Sequence, residues 1–218
     1  MRSALLYRRR GGPRPITAVA LPDSAFRVLV TGCARSGTRH MAQTLRKIGL
    51  RAAHEGDAED AVVSSYFAVD DYYYHGGKHR KRLSSVPFTH RFHQVRHPLG
   101  VIGSIAEFNN ASWWHWQEKH SGVSYDETPV VRAARYWIRW NLMIRAQRLD
   151  WTYRIESLPV LWPEFMDRLG IDPATPQPVI PQVGKSEHRK VTWDELKSED
   201  VALHDEVYAE ACFFGYET

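Results

Sequence analysis

Two hydrophobic periods divide this chain. Phe26, Val28, Leu29 and Val30 form a β-branched-rich apolar run, which predicts an interior strand. Thr31 and Gly32 end it, a tight loop of Cys33, Ala34, Arg35 and Ser36 follows, and Gly37 closes the loop. Met41, Leu45 and Ile48 then recur at three-to-four spacing, which predicts a helix stopped by Gly49. Residues 50–54 predict a second strand, with Glu55 and Gly56 at its exit. The aromatic-rich stretch 62–74 predicts a helix, broken at Gly76 and Gly77 and followed by a basic turn at 78–82. Residues 89–95, THRFHQV, predict a strand, and Pro98 is suited to the first position of a helix striped by Val101, Ile102, Ile105 and Phe108. Residues 109–128 have no clean period and carry Trp113, Trp114 and Trp116. A long loop is expected there, with the tryptophans either covering a bound acceptor or filling the core.

The second half continues the alternation. Residues 129–149 give the longest predicted helix, with Val130, Ala134, Trp137, Asn141 and Ile144 on one face. Residues 151–155 predict a strand with Glu156 at its exit, and 158–169 a helix ending at Gly170. Four prolines make 171–183 irregular, 184–190 (GKSEHRK) is a basic loop, and two short helices are expected near 193–196 and 198–214. Strands alternating with helices predict an α/β fold with a central parallel sheet flanked by helices. Residues 1–24, with five arginines and three prolines, read as a flexible basic tail, and 25–218 as a single domain.

A strand feeding a glycine-bounded loop at a helix N-terminus is an anion cradle, because unpaired N–H groups and the helix dipole favour negative charge. Gly32 and Gly37 have the spacing of a nucleotide-binding P-loop, G-x-x-x-x-G-K-[ST]. Thr38 stands where that pattern has lysine, Arg39 stands where it has the Mg²⁺-binding hydroxyl, and the cation is instead Arg35 inside the loop. The departure favours a phosphate cradle over a metal–triphosphate site. His54 and Glu55 leave the second strand on the side where open α/β sheets bind ligands.

Composition narrows the partners. A net charge of +4, with a pI near 9.1, suits a protein that handles anions without implying nucleic acid. Mean hydropathy is −0.46, and neither a membrane-spanning run nor a signal peptide is evident, so a cytoplasmic protein is expected. Two cysteines, one of them in the loop, fit a reducing compartment. The histidines show no His-Glu-x-x-His or Cys-x-x-Cys spacing, so no metal site is expected.

Three runs together resemble the sulfotransferases that use 3′-phosphoadenosine 5′-phosphosulfate (PAPS). Arg35-Ser36-Gly37-Thr38 is similar to the family's 5′-phosphosulfate loop, in which lysine or arginine precedes Ser-Gly-Thr. Val95-Arg96-His97-Pro98, with Ser104 eight residues after Arg96, is similar to its 3′-phosphate motif. Residues 153–158, YRIESL, resemble a strand common in the family. The resemblance implies a P-loop-type domain that transfers a sulfuryl group in line from PAPS to an acceptor hydroxyl or amine, releasing adenosine 3′,5′-bisphosphate and needing no metal. It implies that Arg35, Ser36, Gly37, Thr38 and Arg39 hold the phosphosulfate, with Arg35 in the catalytic lysine's place. It further implies that Arg96 and Ser104 hold the 3′-phosphate and that Lys185, Arg189 and Lys190 close over the nucleotide. Glu55 is the first candidate for general base, His54 the second, and His93 and His97 the third. The acceptor is read as a small molecule or carbohydrate. The competing readings are a P-loop small-molecule kinase and a non-catalytic polyanion-binding module built on the basic clusters and tryptophans.

Overall fold

The computed structural model describes residues 27–69, 87–181 and 188–216. The basic tail, the turn at 78–82 and Lys185 lie outside the described residues. Five parallel strands form one sheet in the order β2-β3-β1-β4-β5. The strands are β1 (Val28–Thr31), β2 (Ala52–His54), β3 (Ala61–Ser64), β4 (His90–Val95) and β5 (Trp151–Arg154). β1 is central and all four of its residues are buried, as expected for an apolar run covered on both faces. The chain is α/β, as its alternating pattern predicts.

Helix α1 (Thr38–Lys47) and helix α5 (Leu158–Arg168) cover one face of the sheet. Met41, Leu45 and Phe165 pack there against Val28, Val30, Phe92 and Tyr153. Helix α4 (Pro129–Arg145) lies on the other face, with α2 (Pro98–Ala106), α3 (Ala111–Ser121) and α7 (Val201–Phe213) packed around it and α6 (Trp193–Glu199) beside α7. Trp137, Trp140 and Tyr136 of α4 are fully buried there.

Two elements differ from the sequence expectation. Residues 61–64 are strand β3, not the start of a helix, and Tyr66–Ala68 is a short 3-10 turn. The Ala-Val-Val-Ser run is buried on both faces between β1 and β2, so pairing with its neighbours overrode the helix-like aromatic spacing. The return from β2 to β3 takes only residues 55–60, far less than a helical crossover needs. Two devices make it possible. Glu55 reverses the chain at φ 52°, and the Asp60 carboxylate accepts from Arg51 N–H at 2.6 Å and from its Nε and Nη2 at 3.1 and 3.0 Å.

Residues 111–121 form helix α3 where a loop was expected. Asn110 caps it, accepting from Trp113 N–H at 2.9 Å, and Gly122 ends it at φ 67°. Trp113 and Trp114 are buried, and Trp114 Nε1–H donates to Phe108 O at 2.8 Å, so these two rings fill the core and form no flap. Adjacent tryptophans spread over different sides of the helix, which hid its period.

Candidate functional site

The loop of residues 32–37 sits at the carboxyl end of the central strand, and buried polar groups on both sheet faces shape it. Gly32 is required sterically: a Cβ there would lie 2.3 Å from Gln94 O. Arg35 and Gly37 both adopt positive φ, 71° and 92°. Such a conformation costs a non-glycine residue about 1–2 kcal/mol and persists where contacts over-determine it. Beneath the loop, Gln94 Nε2–H donates to Ser36 O at 2.8 Å and Tyr153 O–H donates to Gln94 Oε1 at 2.8 Å. On the other face, Ala34 N–H donates to the Tyr136 hydroxyl at 2.7 Å. Met41 N–H makes the first helical bond of α1, to Gly37 O at 3.0 Å, so the N–H groups of Thr38, Arg39 and His40 have no acceptor within the helix. Ser36 is fully buried and its Oγ has no partner among the described residues.

Arg35, Arg96 and Ser104 come together here. Arg35 Nε–H donates to Ser104 Oγ at 2.7 Å, and Arg96 Nη1–H donates to Arg35 O at 2.9 Å. The sequence reading separates two anion sites; in the folded chain the residues of the second reach those of the first. Burial, and next the neighbouring Arg96, push the Arg35 guanidinium below its ordinary pKa, while Glu107 opposes the shift. Among the described residues neither arginine has a carboxylate within ion-pair distance.

His54 and Glu55 lie beside the same loop. His54 Nε2 is 3.1 Å from Thr38 Oγ1 and 3.8 Å from Glu55 Oε1. Burial, then Arg39 and Arg46, lower the His54 pKa to about 4, so the ring is neutral at pH 7. Burial raises the Glu55 carboxyl, although Ser64 Oγ–H, Ser65 N–H and Ser65 Oγ–H all donate to it. Arg39 is exposed on α1 and acts on His54 from that side.

The remaining histidine candidates sit elsewhere. His93 is buried under the sheet, with Nε2 3.0 Å from Asn141 Oδ1 and its ring against Phe214, too deep to meet an acceptor. His97 packs against Tyr216 and Trp193, and its N–H donates to Glu156 Oε1 at 2.9 Å. Glu156 also accepts from Tyr216 O–H at 2.9 Å, which makes it a tie between strand exits and the C-terminal segment.

Of the basic loop, Arg189 pairs with Glu195, and Lys190 is exposed. His188, which no sequence signal singled out, is the residue that reaches Arg35. Gln94, Tyr136 and Tyr153 were missed as well. Gln94 left one trace, a polar residue near the end of β4 and two positions before Arg96. No helix among the described residues is long and apolar enough to cross a membrane.

No protein-family model matches this chain, and neither curated proteins nor solved structures give a significant match.

Proposed function

We propose that the protein is a PAPS-dependent sulfotransferase that uses the loop of residues 32–37 and its neighbours to bind the nucleotide. One observation carries the reading: Arg35 and Arg96, neither with a carboxylate partner among the described residues, meet beside a loop that leads into a helix whose first N–H groups have no acceptor within it. That combination suits a multiply charged phosphate or sulfate ester. Arg35, Ser36 and the first N–H groups of α1 would hold the 5′-phosphosulfate, and Arg96 with Ser104 the 3′-phosphate. Bound PAPS supplies an activated sulfuryl group. Arg35 then serves as a fixed cation, because a guanidinium does not readily give up its proton.

Glu55 is the proposed base for the acceptor proton. Burial raises its carboxyl, which favours taking up a proton, whereas burial lowers His54 and its Nε2 is engaged with Thr38 Oγ1. The acceptor would be a small molecule or carbohydrate, and the location cytoplasmic. The kinase reading is weaker because Thr38, in the lysine's position, is engaged with His54.

Titration of adenosine 3′,5′-bisphosphate without magnesium tests the binding claim. Arg96→Ala is expected to weaken binding by at least about tenfold, the worth of one charge-assisted hydrogen bond. Absence of binding, or turnover of ATP that depends on Mg²⁺, overturns the reading. A PAPS-fed acceptor screen read by mass gain of one sulfuryl group tests the transfer, and Glu55→Gln should abolish that gain while nucleotide binding persists.

A further inference from the structure

Besides Ser104 and Arg96, an ordered relay touches Arg35 from outside the loop. His188 Nε2 lies 3.2 Å from Arg35 Nη2, and His188 Nδ1 lies 3.2 Å from Glu107 Oε2. A guanidinium only donates, so Nε2 must accept from it, and the ring proton must sit on Nδ1 and be donated to Glu107. The second Glu107 oxygen, Oε1, accepts from Arg189 N–H at 2.8 Å. One carboxylate therefore fixes both the ring of His188 and the backbone of the next residue. Gly103 lets that backbone approach α2: a Cβ at 103 would be 2.1 Å from Arg189 O. On its other side Arg35 is held by Ser104 Oγ.

We propose that Glu107 and His188 are positioning residues for Arg35, the carboxylate selecting the His188 tautomer and the Nε2 lone pair fixing where the guanidinium points. The role rests on the reading of Arg35 as the cation for the 5′-phosphosulfate; the hydrogen-bonding pattern does not. A second-neighbour carboxylate that orders an imidazole is a recurrent way to fix a functional group. Among the described residues the charged groups around the relay include Arg35, Arg96, Glu107 and Arg189, the last paired with Glu195. Hydrogen bonds from Arg189 N–H and His188 hold the Glu107 carboxyl below the usual carboxylate range, so it is ionised at neutral pH.

The consequence runs against simple electrostatics. Deleting an acidic side chain near a cation ordinarily tightens anion binding, because it removes a repulsive charge. If Glu107 acts by ordering Arg35, its deletion weakens binding instead. The effect is largest for ligands with a 5′-phosphate, because the relay ends on the Arg35 guanidinium and reaches Ser104 and Arg96 only through that residue.

Two measurements on the full chain decide this. Nitrogen-15 NMR of the histidine rings should show His188 as the Nδ1–H tautomer, moving toward Nε2–H in Glu107→Ala. An Nε2–H ring in the unaltered protein overturns the relay whatever the protein binds. Calorimetry should show adenosine 3′,5′-bisphosphate bound about tenfold more weakly by both Glu107→Ala and His188→Phe. Adenosine 3′-monophosphate, which lacks the 5′-phosphate, should lose markedly less, because Arg96 and Ser104 meet the relay only through Arg35. Tighter bisphosphate binding, or equal loss for the two nucleotides, overturns the positioning role. If the unaltered protein binds no bisphosphate, the proposed sulfotransferase function fails, and the tautomer alone still decides whether the relay exists.

Discussion

His93 is a titratable ring enclosed between the sheet and α4. Burial lowers its pKa from 6.5 to about 4, and Arg145 adds to the shift while the hydrogen bond to Asn141 opposes it. The unfolded chain therefore binds the proton more readily. Stability is fully present above pH 6.5 and is lost as pH falls toward 4, by roughly 3 kcal/mol for this one group. Urea unfolding at pH 7 and pH 4.5 should show that loss, and His93→Gln should reduce it. An unchanged pH slope in the variant would exclude His93 as the source. Gly32 makes a steric prediction in the same loop. Gly32→Ala places a methyl against the Gln94 carbonyl, a backbone group that cannot swing away, so denaturation should show a loss of about 1–3 kcal/mol or a displaced loop. The residues of the proposed phosphate loop were legible, because Arg35, Ser36, Gly37 and Thr38 are contiguous. The residues that support them were not: Gln94, Tyr136 and Tyr153 come from three other elements.

Strand β1, helix α1, strand β4 and helix α2 were readable as elements because each has one strong period and a clear stop. Strand β3 was not, since four apolar residues followed by aromatics fit either period, and only the neighbouring strands decide. Helix α3 was hidden for the opposite reason: its tryptophans pack on several sides, so no single stripe emerges. The contact between α2 and residues 188–191 also depends on small size. Gly103→Ala should push the Arg189 backbone off α2, whereas Gly100→Ala, whose Cβ would meet Arg96 at an ordinary 3.6 Å, should be tolerated. Limited proteolysis near Arg189 should be faster in Gly103→Ala than in Gly100→Ala; equal rates would show that the segment does not need the close approach.

Over the whole molecule, nucleotide binding should couple to unfolding, because β1, β4, α1 and α2 all contribute to one site. A ligand at one hundred times its Kd stabilises by about 2.7 kcal/mol, which for a chain of this size is a rise in Tm of roughly 5–10 °C. Adenosine 3′,5′-bisphosphate should give that rise, and adenosine should not. The sequence by itself determined the α/β class, the glycine-bounded loop after β1 and the positions of Arg35 and Arg96 beyond strand ends, because each is written in contiguous residues. Tertiary structure alone decided that Arg96 and Ser104 meet Arg35, that Trp113 and Trp114 belong to the core, and that Glu107 and His188 reach the loop. Those outcomes depend on which strand ends lie side by side. That order, β2-β3-β1-β4-β5, comes from burying both faces of the sheet at once, which no local stretch of residues encodes.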